Sequence, residues 1–81
     1  NKTEASIKIY PNPVNDYLNV KSKKPIKQIA IYDLQGRQIK TMALTGNTTT
    51  TKADLSNLSK GVYFVSIKTE TGIQISKIIK E

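Results

Sequence analysis

The sequence predicts an all-β sandwich of about seven antiparallel strands. Short apolar runs with period-two alternation recur about every ten residues. Turn residues, chiefly Gly, Pro, Asn and Asp, separate these runs. Eleven of the twenty Ile, Val and Leu residues are isoleucine. Side chains branched at Cβ are stiff at χ1 and pack well on a pleated surface, so this excess favours strands over helices.

The first two strands are short and are separated by a proline-rich break. Ile7 and Ile9 alternate with polar neighbours in the first strand. Leu18 and Val20 repeat the pattern in the second strand. Between them lies Pro11-Asn12-Pro13, which ends the first strand because proline cannot donate a hydrogen bond to a ladder and restricts the residue before it.

The third and fourth strands are expected to form a hairpin. Ile29 and Ile31 lie on one face of the third strand, whereas Ile26 is out of phase and its place is left open. Asp33-Leu34-Gln35-Gly36 predicts the turn, since glycine readily adopts positive φ. The fourth strand then runs from Arg37 to Leu44.

The crossover after the fifth strand predicts the topology. The run Thr48–Thr51 leads into Ala53 and Leu55 as a fifth strand of modest strength. Leu55, Leu58 and Tyr63 have the spacing of a tyrosine corner, in which a tyrosine hydroxyl at a strand start bonds backwards to the crossover. Because such a corner joins the two sheets, we predict an immunoglobulin-like Greek-key sandwich. The alternative is that both leucines are core residues and Tyr63 is merely half-buried.

The clearest pattern is a closing hairpin at the end of the chain. Gly61 precedes a sixth strand from Val62 to Lys68, and a turn containing Gly72 leads to a seventh strand from about Ile73 to Lys80. The doublet Ile78-Ile79 breaks the alternation of the seventh strand. It indicates either a β-bulge or burial of both faces.

Composition argues against catalysis. The 81 residues include no cysteine and no histidine, so thiol chemistry, disulfides and the usual neutral-pH acid or base are excluded. The six acidic residues are scattered, and Asp16 and Asp33 stand beside turns, where carboxylates commonly cap backbone N–H groups. The sequence therefore predicts no catalytic residue, no metal site and no bound cofactor.

The net charge is positive, but the basic residues do not have the pattern that is typical of a nucleic-acid-binding protein. Thirteen cationic residues against six acidic ones give a formal net charge of +7, but twelve of the thirteen are scattered lysines. Nucleic-acid sites usually depend on arginine forks and stacking aromatics. We therefore expect solvated lysines on outer strand faces and no nucleic-acid partner. No apolar run approaches the ~20 residues of a membrane span, so no membrane insertion is expected.

Three segments in series resemble the C-terminal sorting domains of the bacterial type IX secretion system, the Por secretion system tail family. Residues 10–20 are similar to the proline-asparagine-proline motif that opens these domains. Residues 29–37 resemble their central hairpin motif, and residues 58–67 their final motif, together with Gly72 and the closing residues 77–81. The resemblance covers nearly the whole chain and has the family's order and spacing.

The resemblance implies that the domain acts as a sorting signal for secretion. Such domains end large secreted proteins of Bacteroidetes-type bacteria, which enter the periplasm through an N-terminal signal. The partners implied are the cargo domain of the same precursor, the type IX translocon and outer-membrane shuttle or sortase proteins. A sortase often removes the domain and attaches the cargo to lipopolysaccharide at the cell surface. The chain lacks an initiating Met, so we expect residues 1–81 to be a single domain of a longer precursor.

The resemblance also assigns candidate residues. Those expected in the part most needed for partner recognition are Gly61, Tyr63, Gly72, Lys77 and Lys80. Those expected just after the cleavage region are Pro11, Asn12 and Pro13. Structural roles in turns and at strand ends remain the alternative for the glycines and prolines. A last strand at a sheet edge can also offer unpaired backbone to a partner or, weakly, to a second copy.

The rival interpretation is a fibronectin-like accessory or carbohydrate-binding module of a secreted enzyme. Carbohydrate platforms use exposed planar aromatic side chains, and this chain has no Trp, one Phe and four Tyr. Tyr10, Tyr17 and Tyr32 fall on predicted outer faces. The sequence alone leaves this alternative open.

Overall fold

The predicted sandwich is confirmed. A computed structural model of the chain describes residues 7–11 and 13–81. Seven strands form within these ranges: β1 (Ile7–Tyr10), β2 (Tyr17–Ser22), β3 (Ile26–Tyr32), β4 (Gln38–Ala43), β5 (Thr50–Asp54), β6 (Gly61–Thr69) and β7 (Gly72–Lys80). A three-stranded sheet of order β1-β2-β5 packs on a four-stranded sheet of order β4-β3-β6-β7. All strand pairs in both sheets are antiparallel.

The core fills the space between the two sheets. Alternate residues of the central strands point into it, as the period-two patterns predict. Its largest fully buried side chains are Leu18, Ile26, Ile29, Ile31, Leu55, Ile67, Ile78, Val14, Val20 and Val65. Burial of each such side chain contributes roughly 1.5–3 kcal/mol, which makes this layer the main source of stability.

The crossover from β5 to β6 is a tyrosine corner. The Tyr63 hydroxyl donates to the main-chain oxygen of Ser59 at 2.7 Å. Leu55 is fully buried, and Leu58 is partly buried against the core. The connection carries the chain from the three-stranded to the four-stranded sheet, so the predicted Greek-key topology is confirmed.

The segment after β1 also changes sheets. β1 ends at Tyr10, and the Tyr10–Pro11 peptide bond is cis. Val14 then forms a parallel bridge with Lys80 of β7. The Val14 N–H donates to the Ile79 oxygen at 2.8 Å, and the Glu81 N–H donates to the Val14 oxygen at 2.9 Å. The predicted break after the first strand is thus confirmed at Pro11, while Asn12 lies outside the described residues.

A register shift explains why Ile26 is out of phase. In the pairing of β3 with β6 the register shifts between Ile26 and Gln28. Ile26 pairs with Thr69 and Ile29 pairs with Ile67, so both isoleucines reach the core although they are three residues apart. An extra residue of this kind is a β-bulge, which reverses the alternation of a strand.

The predicted bulge or double burial at Ile78-Ile79 is wrong. The register between β6 and β7 runs without a shift from Gly61 opposite Lys80 to Thr69 opposite Gly72. Ile78 is fully buried, whereas the side chain of Ile79 is 43% exposed. The doublet arises because several isoleucines of β7 face outward. The positions of the apolar residues in this strand therefore do not show which of its residues are buried.

Candidate recognition site

One end of the sandwich brings the three sequence motifs together, and we call it the motif end. It contains residues 13–16, the β3–β4 turn at residues 33–37, the β5–β6 crossover at residues 55–60, and the end of β7. The Leu55 N–H donates to the Asp16 oxygen at 2.7 Å. A shallow cleft separates the β3–β4 turn from Lys60 and Gly61 at the start of β6. Segments more than 20 residues apart in sequence are therefore spatial neighbours.

The β3–β4 turn is held by a single carboxylate. Asp33 Oδ1 accepts the N–H groups of Gln35 and Arg37, each at 2.9 Å, and Oδ2 accepts Arg37 Nε at 2.8 Å. These bonds lower the pKa of Asp33, the Arg37 N–H contributing most. The predicted capping role of Asp33 is confirmed. Asp16 instead contributes its main-chain oxygen to Leu55.

The sequence interpretation missed a second carboxylate cap, at the start of the crossover. Asp54 Oδ1 accepts the N–H of Ser56 at 3.0 Å and its hydroxyl at 2.6 Å. These two bonds lower the pKa of Asp54, the hydroxyl contributing most. The spacing Asp-x-Ser directly after a strand could have indicated this turn. The Asp54 cap and the hydrogen bond from Tyr63 to Ser59 stabilise the first and second halves of the crossover.

The two candidate glycines both need their backbone freedom. Gly61 has φ of +152° and Gly72 has φ of +145°, a region that L side chains rarely adopt. No heavy atom lies within 4 Å of a Cβ built at either position, apart from the chain neighbours. Substitution there is opposed by backbone strain and not by crowding. Gly61 begins β6 at the motif end, and Gly72 begins β7 at the opposite end of the hairpin.

The two candidate lysines lie on opposite faces of β7. Lys77 is exposed on the outer face, opposite Phe64. Lys80 faces the core side opposite Gly61 and is 7% exposed, with its Nζ donating to the main-chain oxygen of Glu81 at 3.0 Å. Long lysine stems often run along apolar surface in this way.

The candidate residues therefore do not form one patch. Gly61, Tyr63 and Lys80 lie together at the motif end, where Val14, next to the exposed Pro13, bridges to Lys80. Pro11 is exposed at the end of β1, and Asn12 is outside the described residues. Lys77 lies on the outer face of β7, and Gly72 is at the far end of the hairpin. Of these residues, Tyr63 is buried and its hydroxyl is bonded to Ser59.

Three isoleucines on the outer face of β7 were not identified as surface residues from the sequence. Ile73 is 62% exposed, Ile75 is 65% exposed and Ile79 is 43% exposed. The core-facing positions of the same strand include three polar residues, Gln74, Ser76 and Lys80. An apolar row on an edge strand is unusual, because proteins normally protect such edges with charge.

The tyrosines of the rival hypothesis divide between the two outer faces. Tyr10 and Tyr17 are exposed on the three-stranded sheet, and the Nζ of Lys52 lies 5.8 Å from the centroid of the Tyr17 ring. Tyr32 is half-buried on the four-stranded sheet, where its hydroxyl donates to Gln38 Oε1 at 3.4 Å. The predicted outer-face positions are confirmed, and Tyr17 and Tyr32 belong to different faces.

Two kinds of feature are absent from residues 7–11 and 13–81, a cluster of metal-ligating side chains and a membrane-spanning helix. Among the described residues, no group of three or more acidic, His or Cys side chains is arranged to hold a metal ion. No helix in this part of the chain is long and apolar enough to cross a membrane.

Comparison with known families identifies the sandwich. The family model described as "Secretion system C-terminal sorting domain" matches residues 8–81. That range includes all of β2 to β7 and three of the four residues of β1. The chain belongs to this family of type IX secretion sorting domains. No curated protein matches the chain. Membership makes the domain a C-terminal sorting signal for export across the outer membrane.

Proposed function

We propose that residues 1–81 are one non-catalytic sorting domain at the end of a larger secreted precursor. The observation that carries the proposal is the family match over residues 8–81, which includes all of β2 to β7 and most of β1 and not a single motif alone. The folded domain is read by the type IX translocon and outer-membrane shuttle proteins after the precursor reaches the periplasm. A surface sortase then cleaves the chain before Pro11-Asn12-Pro13, and the cargo stays at the cell surface or enters the medium.

The β6–β7 hairpin is the main determinant that these partners read. Its two strands are joined by nine residue pairs, the longest ladder among the described residues. It also contains the candidate residues Gly61, Tyr63, Gly72, Lys77 and Lys80. Since β7 is the last strand of its sheet, this hairpin offers both a face and an edge to a partner.

The test is export of a reporter fused to residues 1–81 behind a periplasmic signal, in a bacterium that has the type IX system. We expect the reporter in the medium or at the surface, and the same reporter without residues 1–81 in the periplasm. Retention of the fusion in the periplasm would contradict the proposal. The size of the exported reporter reports on the sortase step: loss of the residues from the cleavage region before Pro11 to Glu81 supports cleavage, and an intact fusion opposes it.

A shortened fusion tests the hairpin. Removing residues 73–81 deletes almost all of β7 and should abolish export. If the shortened fusion is exported as well as the complete one, the hairpin is not the determinant. The core variant Ile78→Ala is the control for loss of stability, because it weakens the sandwich while keeping both strands.

A further inference from the structure

The main-chain groups of alternate residues of β7 point away from β6, its partner in the four-stranded sheet. Val14 approaches β7 from the side opposite β6 and bonds to the main-chain groups of Ile79 and Glu81. In an antiparallel strand, successive residues direct their N–H and C=O groups to opposite sides. Ile73 and Ile75 have the same parity as Ile79, so their main-chain groups also point away from β6.

The first half of this edge is open within the described part of the chain. β7 ends the order β4-β3-β6-β7, and within residues 7–11 and 13–81 Val14 covers the part of the edge from Ile79 to Glu81. No backbone hydrogen bond joins Ile73 or Ile75 to another described residue on the outer side. We call the main-chain groups and side chains of these two residues the β7 edge segment.

The side chains of the β7 edge segment are apolar as well. Ile73 and Ile75 are each more than 60% exposed on the outer face of the sheet. A strand added beside β7 would therefore gain main-chain hydrogen bonds and bury two isoleucine side chains on one face. This combination of open backbone and exposed isoleucine occurs on the same residues, which is what distinguishes it from a scattered apolar surface.

Charge indicates which kind of strand fits. The outward positions of β6 and β7 hold no acidic residue: they are Val62, Phe64, Ser66, Lys68, Ile73, Ile75, Lys77 and Ile79. Lys68 pairs directly with Ile73. The chain as a whole carries a formal charge of +7, so a second copy is repelled and an acidic segment is attracted.

We propose that the β7 edge segment binds an extended acidic segment of a protein partner by strand addition. Alternate apolar side chains of that segment pack on Ile73 and Ile75, and its acidic residues lie near the lysines of the outer face. The inference deepens the proposed sorting function by naming the mode of contact and the chemistry of the partner, and it rests on that function for its biological setting.

The experiment titrates a probe peptide into isotopically labelled residues 1–81 and follows backbone amides by NMR. The probe is the acetylated, amidated heptapeptide Glu-Thr-Val-Thr-Val-Thr-Glu, which reads the same for either strand direction. We expect shifts and slowed hydrogen exchange at the amides of Ile73 and Ile75, and weaker binding when both Glu become Lys. Absence of changes at these two amides at millimolar probe would overturn the proposal.

Proline variants isolate the main-chain contact. Ile75→Pro and Ile75→Ala both remove the isoleucine, but only proline removes the outward N–H, and an edge strand tolerates it there. We expect Ile75→Pro to bind the probe at least about fivefold more weakly than Ile75→Ala, the effect of one net hydrogen bond. Thr50→Pro is the matched control, because β5 is an edge of the other sheet. Equal binding by Ile75→Pro and Ile75→Ala would overturn strand addition.

Two further outcomes are decisive. If Ile75→Pro disturbs the protected amides of Gln74 and Ser76, Ile75→Asp replaces it, with an expected loss of about tenfold in affinity by like-charge repulsion; unchanged affinity overturns the proposal. If the same amides slow with rising protein concentration and no probe, the occupant is a second copy and the proposed partner is wrong.

Export separates this inference from the proposed function. If the parent fusion is exported and Ile75→Pro is exported equally well, strand addition at Ile75 is overturned while the sorting function stands. If the parent fusion stays in the periplasm, the sorting function fails. The peptide titration then still decides whether the β7 edge segment accepts an acidic strand.

Discussion

At the scale of single residues, the motif end depends on a few short hydrogen bonds. Asp33 holds the β3–β4 turn, Asp54 starts the crossover, and Tyr63 closes it on Ser59. Each of these groups forms a hydrogen bond with main-chain groups of a loop. The polar residues at these three positions are explained by loop geometry.

The Asp33 cap predicts a pH dependence. The pKa of Asp33 is held below its ordinary value of 3.8, so the charged form stabilises the folded state. This contribution is complete above the ordinary pKa and is lost as the pH falls below it. Asp33→Ala should therefore lower the thermal midpoint at pH 7, and the difference from the parent should shrink towards zero near pH 2. Thermal unfolding followed by circular dichroism measures this.

The control for the Asp33 experiment is Asp16→Ala. The Asp16 carboxylate accepts no hydrogen bond from the described residues, so its removal should leave a smaller difference at both pH values. A difference for Asp33→Ala that is as large at pH 2 as at pH 7 would contradict the cap.

The tyrosine corner predicts a small, specific loss. Tyr63→Phe removes the hydroxyl that donates to Ser59 at 2.7 Å and keeps the buried ring. We expect the free energy of unfolding in urea to fall by about 1 kcal/mol, the usual net value of one hydrogen bond. Tyr17→Phe is the control, since the Tyr17 side chain is half exposed on the outer face. This substitution should leave the free energy of unfolding nearly unchanged. Equal effects of the two substitutions would rule out the corner as a stabilising feature.

At the scale of elements, β7 is the strand whose sequence pattern is most misleading. Its isoleucines would normally mark the buried face, yet Ile73 and Ile75 face solvent and Ile78 faces the core. The phase could have been found from topology. A tyrosine corner places Tyr63 inward, and a two-residue turn pairs it with an even-numbered residue of β7, here Ile78.

One pair of identical substitutions tests this phase. Ile78→Ala should lower the free energy of unfolding by about 2–5 kcal/mol, because it empties a fully buried site. Ile75→Ala in the same strand should change it by less than about 0.5 kcal/mol, because the side chain is exposed. Urea denaturation at constant m-value measures both. Similar losses at the two positions would contradict the register of β7 in which Ile78 faces the core and Ile75 faces solvent.

The other elements show where sequence patterns suffice. Clean alternation predicted β2, and a turn motif predicted the β3–β4 hairpin. The fourth strand, predicted from Arg37 to Leu44, runs from Gln38 to Ala43. The pattern failed at Ile26, where a register shift in the pairing with β6 reverses the phase. A bulge depends on the partner strand, so the single strand cannot show it.

At the scale of the whole molecule, the fold class followed from composition and turn spacing, but the assembly of the motif end did not. Val14 is fully buried and bridges to Lys80, and nothing in the periodicity around it indicates that contact. Contacts between the first and last parts of a chain depend on the closed topology and not on local pattern. The open β7 edge segment could not be predicted from the sequence for the same reason. Its exposure depends on which part of the β7 edge is covered by the segment around Val14.

We infer that this sandwich is sufficient as a sorting signal, and one localisation experiment tests that claim. The reporter, with and without residues 1–81, is expressed in paired strains that have or lack the type IX translocon, and its amounts in medium, surface and periplasm are measured. We predict export only when both the domain and the translocon are present. Export that is independent of either one, or periplasmic retention of the complete fusion in the competent strain, would contradict the claim.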